Sequence, residues 1–217
     1  MPVTKPAAIL RGLYVIADSS LAPAGTRLHE HVAAAIQGGA RMVQLRDKQA
    51  VVDVAELQAL VALCRQQQVP LLINDNIDLA LQVGAAGVHL GQDDAQPAEA
   101  RQRLGRDAII GVTCHDQLAL AHRAEAAGAD YVAFGRFFPS QSKPAAPPAD
   151  IAVLQQAHQS LHLPVVAIGG ITPDNGAALI AAGADMLAVI HGVFGQTDVR
   201  AAARKFSQLF ATQDPNP

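Results

Sequence analysis

The sequence has 217 residues, half of them hydrophobic, and 16 Lys and Arg against 19 Asp and Glu give a formal net charge of -3. That length suits one sizeable core, and charges mixed along the chain form neither a basic stripe for nucleic acid nor a polybasic patch for a membrane surface. No apolar run approaches the length of a membrane span, the stretch around Lys5 and Arg11 is too weak for a signal peptide, and Cys64 and Cys114 read as reduced, buried thiols, so the expected compartment is the cytoplasm.

Eight short apolar runs read as strands in chain order: Leu13 to Ala17, Met42 to Leu45, Pro70 to Ile73, Gly87 to Leu90, Ile109 to Val112, Tyr131 to Phe134, Val165 to Ile168 and Met186 to Ile190. Amphipathic helical patterns lie between them, including Leu28 to Gln37, Asp53 to Gln67, Gln117 to Ala127 and Asn175 to Ala182. Related phrases starting at Gly38, Gly84, Gly128 and Gly183 each lead into a strand, at intervals of 46, 44 and 55 residues. Each glycine suits a left-handed helix C-terminus. The repeat of two strand-helix units, longer by about ten residues in the last period, predicts one α/β domain over 1–217, a single (β/α)8 barrel. An open doubly wound sheet is the alternative, but Asp18-Ser19-Ser20 after the first strand is no glycine-rich fingerprint. The extra length, 137–148, is expected to be an active-site lid, and 213–217 a frayed tail.

In such a barrel the chemistry sits at the C-terminal ends of the strands. Alternation sends Gln44, Arg46 and Lys48 toward the mouth, a set suited to a di- or triphosphate; an internal ion pair of Arg46 with Asp47 or a neighbouring strand's carboxylate competes with that reading. Asp75 and Asp94, at adjacent strand ends, could share one Mg2+, or could cap the helices that follow. His89, inside a strand, reads as a hydrogen-bonded core histidine. Thr113 offers a hydroxyl to an oxygen or ring nitrogen, and His115 is a candidate acid or base beside a helix start. Glycines after strands seven and eight, Gly169-Gly170 and Gly192, allow backbone N–H groups to approach a phosphate, or simply serve tight turns.

Together Gln44-Leu45-Arg46-Asp47-Lys48, Ile73-Asn74-Asp75, Gly87 to Asp94, Gly111-Val112-Thr113, Pro139 to Lys143 and Ile168 to Ile171 resemble the thiamine-phosphate synthase family over nearly the whole chain. The resemblance implies a (β/α)8 transferase that joins a hydroxymethylpyrimidine diphosphate to a thiazole phosphate, or to its carboxylated tautomer, releasing diphosphate. By resemblance, Gln44, Leu45, Arg46, Asp47, Lys48, Asn74, Thr113 and Lys143 hold the pyrimidine diphosphate, with Arg46, Lys48, Lys143 and Thr113 acting in catalysis. Asp75 and Asp94 hold one Mg2+, and Ser140, Gln141, Ser142, Gly170, Ile190 and His191 surround the thiazole phosphate. The partners implied are two small phosphorylated substrates, without nucleic acid or membrane; a homo-oligomer is compatible with them. Thr113 stands where serine is usual, and Ser140 and Ser142 where threonine is usual, so each hydroxyl is kept. Arg136 replaces a common proline and His191 a common serine.

Three rivals follow from the same barrel. A related thiazole tautomerase would use His115 as its acid and base but has little use for Arg46, Lys48, Asp75, Asp94 and Lys143. A phosphosugar isomerase or epimerase would need only the glycine pair. A noncatalytic phosphate or thiamine-phosphate sensor could keep the phosphate donors and lose the metal pair or the lid lysine, and this chain has lost neither.

Overall fold

The computed structural model describes residues 10–21, 27–48, 52–140 and 147–211. Eight parallel strands close in sequence order: β1 (Gly12–Asp18), β2 (Ala40–Arg46), β3 (Leu71–Asn74), β4 (Gly87–Leu90), β5 (Ile109–His115), β6 (Tyr131–Phe134), β7 (Val165–Ile168) and β8 (Met186–Val189), with β8 pairing back onto β1. Between and after them run α1 (Leu28–Gln37), α2 (Val54–Gln66), α3 (Ile77–Val83), α4 (Pro97–Leu104), α5 (Leu118–Ala126), α6 (Ala152–Ser160), α7 (Pro173–Ala181), α8 (His191–Phe194) and α9 (Val199–Ala211). The (β/α)8 reading therefore holds. Four strands extend beyond their apolar runs by polar or charged residues at the mouth, β1 to Asp18, β2 to Arg46, β3 to Asn74 and β5 to His115; Asp18 pairs with Arg46, and His115 with Phe134.

Period-two alternation divides the strands' side chains between two layers. Tyr14, Ile16, Met42, Leu72, Tyr131, Val166 and Met186 fill the barrel interior. Leu13, Val15, Val43, Leu45, Ile73, Val88, Val112 and Leu187 point outward into the helix layer. Helix starts follow local chemistry. The Asp53 carboxylate accepts from the Glu56 N–H at 2.7 Å to open α2, and Pro173 begins α7 while the Asn175 side chain accepts from the Thr172 N–H at 2.8 Å. In α9, Val199, Ala202, Ala203, Phe206 and Phe210 form the buried stripe; complete burial of Phe206 contributes on the order of 2–3 kcal/mol.

The echoing phrases have a structural cause beyond the glycine. In the third and fourth, Gly128-Ala129-Asp130 and Gly183-Ala184-Asp185, the aspartate reaches back to the preceding strand. Asp130 Oδ2 accepts from the Ile110 N–H and Asp185 Oδ2 from the Val165 N–H, each at 2.8 Å, while the aspartates' own N–H groups donate to the Ile110 and Val165 carbonyls. Gly84, Gly128 and Gly183 have positive φ as expected. Gly38 does not. The following Gly39 takes the positive φ at +100°, and Gly38 is needed for close approach instead, because a Cβ there would meet the Ala203 Cβ at 2.6 Å under α9.

Arg101 ties the bottom of the barrel together. Its guanidinium donates to the Gly105, Arg106, Ala108 and Gly128 carbonyls at 2.7–3.2 Å and to Asp130 Oδ2 at 2.6 Å. Arg101→Ala is expected to lower the urea midpoint with an unchanged slope, by about 2 kcal/mol, since it strips several carbonyls and one carboxylate of a donor. A wild-type midpoint would show that water replaces those bonds without loss. Cys64 and Cys114 are free and buried, and burial pushes both thiols up to about 12, which keeps them protonated and inert. Among the described residues no helix is long and apolar enough to cross a membrane.

Candidate active site

The strand ends at the mouth form two regions. On the β1 to β5 side, Gln44 and Arg46 point inward from β2 as alternation predicts. Gln44 is buried, and its Nε2 donates to the Tyr14 hydroxyl. Arg46 forms an ion pair with Asp18 of β1, so the neighbouring-strand pairing considered for it is real. Asp18 also accepts from the Ser20 hydroxyl at 2.6 Å and the Ser20 N–H at 3.1 Å. Burial opposes its ionisation, but the two Ser20 bonds and then Arg46 outweigh that and hold its carboxyl below the usual range. The pair fixes the direction of the Arg46 guanidinium.

Lys48 is more than half exposed, with Nζ 3.6 Å from Asp75 Oδ2. Asn74 also donates to that oxygen, and the Asp75 N–H donates to the His89 carbonyl at 2.9 Å. Asp75 adopts a left-handed backbone, φ +63°, a strained conformation that sites often retain for the sake of a side chain's direction. Its carboxyl lies within hydrogen-bonding reach of Asp94. Burial first, then the contact with and charge of Asp94, push it above the usual range, against the opposing pull of Lys48 and Asn74. Asp94 Oδ2 in turn accepts from the Gly91 N–H at 2.7 Å. The two carboxylates assigned to Mg2+ are thus brought together. No cluster of three or more His, Cys, Asp or Glu suited to a metal occurs among the described residues, and a pair of hard oxygen donors suits an ion that keeps water and phosphate oxygens as its other ligands.

Two of the expected contact residues turn their side chains away from Gln44 and Arg46. The Leu45 side chain is buried in the helix layer, so only its backbone can face the mouth. Asp47 accepts from the Ser19 hydroxyl at 2.6 Å and the Val52 N–H at 2.9 Å, holding the turns after β1 and β2. Both follow from parity, since odd positions here face away from Gln44 and Arg46.

Thr113 meets His89 Nε2 at 2.8 Å, and His89 Nδ1 meets the Tyr131 hydroxyl at 2.7 Å. His89 is thereby the hydrogen-bonded interior histidine that its strand position predicts. Tyr14 and Tyr131 were not foreseen as polar members of the site, because tyrosine in an apolar run reads as core. Asp18 was missed for a related reason, although its parity with Gln44 and Arg46 would have revealed it.

On the β6 to β8 side, the loops interlock. The Phe137 and Phe138 N–H groups donate to the Ile168 and Gly169 carbonyls at 3.2 and 3.0 Å. Gly170, φ +64°, backs onto the Phe138–Pro139 backbone so closely that any Cβ would overlap it. Ser140 is half-buried beside this contact region, and Ile190 and His191 begin α8 after β8; among the described residues the buried His191 Nδ1 has no hydrogen-bond partner. Gln141, Ser142, Lys143 and much of the expected lid lie outside the described residues, as does the expected frayed tail.

A family described as thiamine monophosphate synthase matches residues 13–193. The chain belongs to that family. A thiamine-phosphate synthase of Nitrosococcus oceani is 50% identical over 211 residues, covering 96% of this chain and 97% of the relative, and one of Marinobacter nauticus is 53% identical over 208 residues, covering 94% and 93%. A solved thiamine phosphate pyrophosphorylase from Pyrococcus furiosus superimposes with a TM-score of 0.83 at 34% identity, covering 95% of this chain and 98% of that one.

Proposed function

We propose that the protein forms thiamine phosphate by joining 4-amino-2-methyl-5-(diphosphooxymethyl)pyrimidine to 4-methyl-5-(2-phosphoethyl)thiazole, with release of diphosphate. The observation that carries this reading is the placement at neighbouring strand ends of two cations, Arg46 held by Asp18 and Lys48 3.6 Å from Asp75, beside the carboxylate pair Asp75 and Asp94. A thiazole tautomerase has little use for that combination, whereas a departing diphosphate needs cations, and its metal needs hard anionic ligands.

In this reading the carbon–oxygen bond to diphosphate breaks with its electron pair, and the thiazole nitrogen supplies the pair for the new carbon–nitrogen bond. The electron-rich aminopyrimidine delocalises the charge left on the methylene, so the displacement is dissociative. No proton moves, and none of the chain's groups is required as a general base. Arg46, aligned by Asp18, and Lys48 face the charge that develops on the leaving group. Asp75 and Asp94 would hold one Mg2+, which when bound adds positive charge at the same place. Thr113 donates to the pyrimidine, and Lys143, by resemblance, adds a third cation from the loop after β6. Ser140, Gly170 and the start of α8 take the thiazole phosphate. Positioning and fixed charges therefore supply the acceleration. A biosynthetic role of this kind fits a cytoplasmic location.

The deciding experiment incubates the purified protein with both substrates and Mg2+. Thiamine phosphate and diphosphate should appear in equal amounts; if neither forms, the synthase reading is wrong.

A further inference from the structure

The barrel interior contains a continuous hydrogen-bonded chain of five side chains from five strands. Gln44 Nε2 donates to the Tyr14 hydroxyl; the Tyr14 and Tyr131 hydroxyls lie 2.9 Å apart; Tyr131 meets His89 Nδ1 at 2.7 Å; His89 Nε2 meets Thr113 Oγ1 at 2.8 Å. The tyrosine rings are edge to face with centroids 6.0 Å apart, and His89 stacks on Tyr131 at 5.6 Å. Space for the Tyr131 ring exists because Gly111, opposite it, has no side chain; any Cβ there would overlap the phenol.

We propose that Tyr14, Tyr131 and His89 are positioning residues forming a polarised relay that makes the Thr113 hydroxyl a donor, and so favours a pyrimidine with an unprotonated ring nitrogen over its 4-oxo counterpart. The proton count sets the direction. Each hydroxyl carries one proton, and burial pushes both phenols far above their ordinary range, so both keep it. Tyr14 receives a proton from the Gln44 amide and gives its own to Tyr131. Tyr131 then gives its proton to His89 Nδ1. A neutral imidazole has one proton left, on Nε2, and that goes to the Thr113 oxygen. The hydroxyl hydrogen of Thr113 has been displaced from the relay and needs an acceptor elsewhere.

A 4-aminopyrimidine presents a ring nitrogen lone pair to such a donor. Its 4-oxo counterpart carries N–H at N3, the ring nitrogen beside the oxo group, and leaves a Thr113 proton directed at that nitrogen unmatched. Reversing one bond would require reversing every bond up to the Gln44 amide, so the far end of the relay governs the near one. The substrate half of the proposal rests on the function proposed above, and the tautomer half does not.

Nitrogen-15 NMR of the full chain labelled in histidine, with the His89 signals assigned by their loss in His89→Gln, should show an Nε2–H imidazole whose Nδ1 is an unprotonated acceptor. An Nδ1–H or cationic ring in the wild-type protein overturns the relay. Gln44→Glu offers Tyr14 an acceptor in place of a donor and should switch His89 to Nδ1–H; retention of Nε2–H overturns the directional argument. Tyr131→Phe keeps the ring and cuts the relay, so the ratio of dissociation constants for the 4-oxo and 4-amino pyrimidinylmethyl phosphates should fall by about tenfold. A wild-type ratio in that variant overturns the specificity role. Thiamine phosphate formation by the wild-type protein, measured alongside, separates a failure of the relay from a failure of the functional reading.

Discussion

Arg46→Ala should lose about 2–3 kcal/mol of stability at neutral pH and at least about a hundredfold in turnover. The two losses have different origins. Removing the guanidinium leaves Asp18, almost wholly buried at the end of β1, ionised without its cationic partner, and in the proposed reaction it removes a fixed positive charge from the place where diphosphate would depart. The double variant Asp18→Asn with Arg46→Ala should recover most of the stability and none of the turnover. Acid should distinguish them further. In the wild type the folded Asp18 is held below an unfolded aspartate's value of about 3.9, so its contribution is present above that value and lost as pH falls through the lower folded one. Without Arg46 the folded carboxyl is raised relative to the wild type, and the deficit should shrink as mild acid protonates it. Equal urea midpoints for wild type and Arg46→Ala at pH 7 would show that the ion pair contributes nothing. Wild-type turnover in the double variant would remove Arg46 from the chemistry.

Asp75→Asn and Asp94→Asn should each reduce Mg2+-dependent turnover by about a hundredfold while leaving the barrel folded. Asp75 is raised by burial and by Asp94, and a divalent cation shared between the two would replace the repulsion with attraction to both. Mg2+ alone should therefore raise the melting temperature of the wild-type protein and do so much less in either variant. The strained Asp75 backbone, φ +63°, suits Asn well, so stability in the absence of metal should not fall in Asp75→Asn. An unchanged Mg2+ titration in both variants, by activity and by melting, would refute the metal role.

The eight strands were legible because each is a short apolar run preceded by a turn, and a strand buried on both faces needs nothing more. Their ends were less so. Asp18 and His115 belong to strands because the mouth tolerates polar groups where a closed core would not. The candidate site was legible where a charged side chain breaks an apolar pattern, as at Arg46, Lys48, Asp75 and Asp94, which the fold gathers at neighbouring strand ends. It was hidden where the functional group is an oxygen on an otherwise apolar residue. Tyr14 and Tyr131 have the volume of core residues, and only the inward parity shared with Gln44, His89 and Thr113 marks them as something more. Leu45 and Asp47 entered the contact set with their neighbours in one motif, although alternation alone turns both away from the mouth.

The seam between β8 and β1, packed over by α9 against α1 and β1, has a consequence for biogenesis. As the chain leaves the ribosome, β1 emerges first and its final neighbour nearly last, so one full edge of hydrogen-bonding groups waits without a partner while seven strands assemble. Gly38, shaped to accept α9, waits with it. Until β8 and α9 have been translated, the β1 edge has no permanent neighbour and stays open to pairing with other chains.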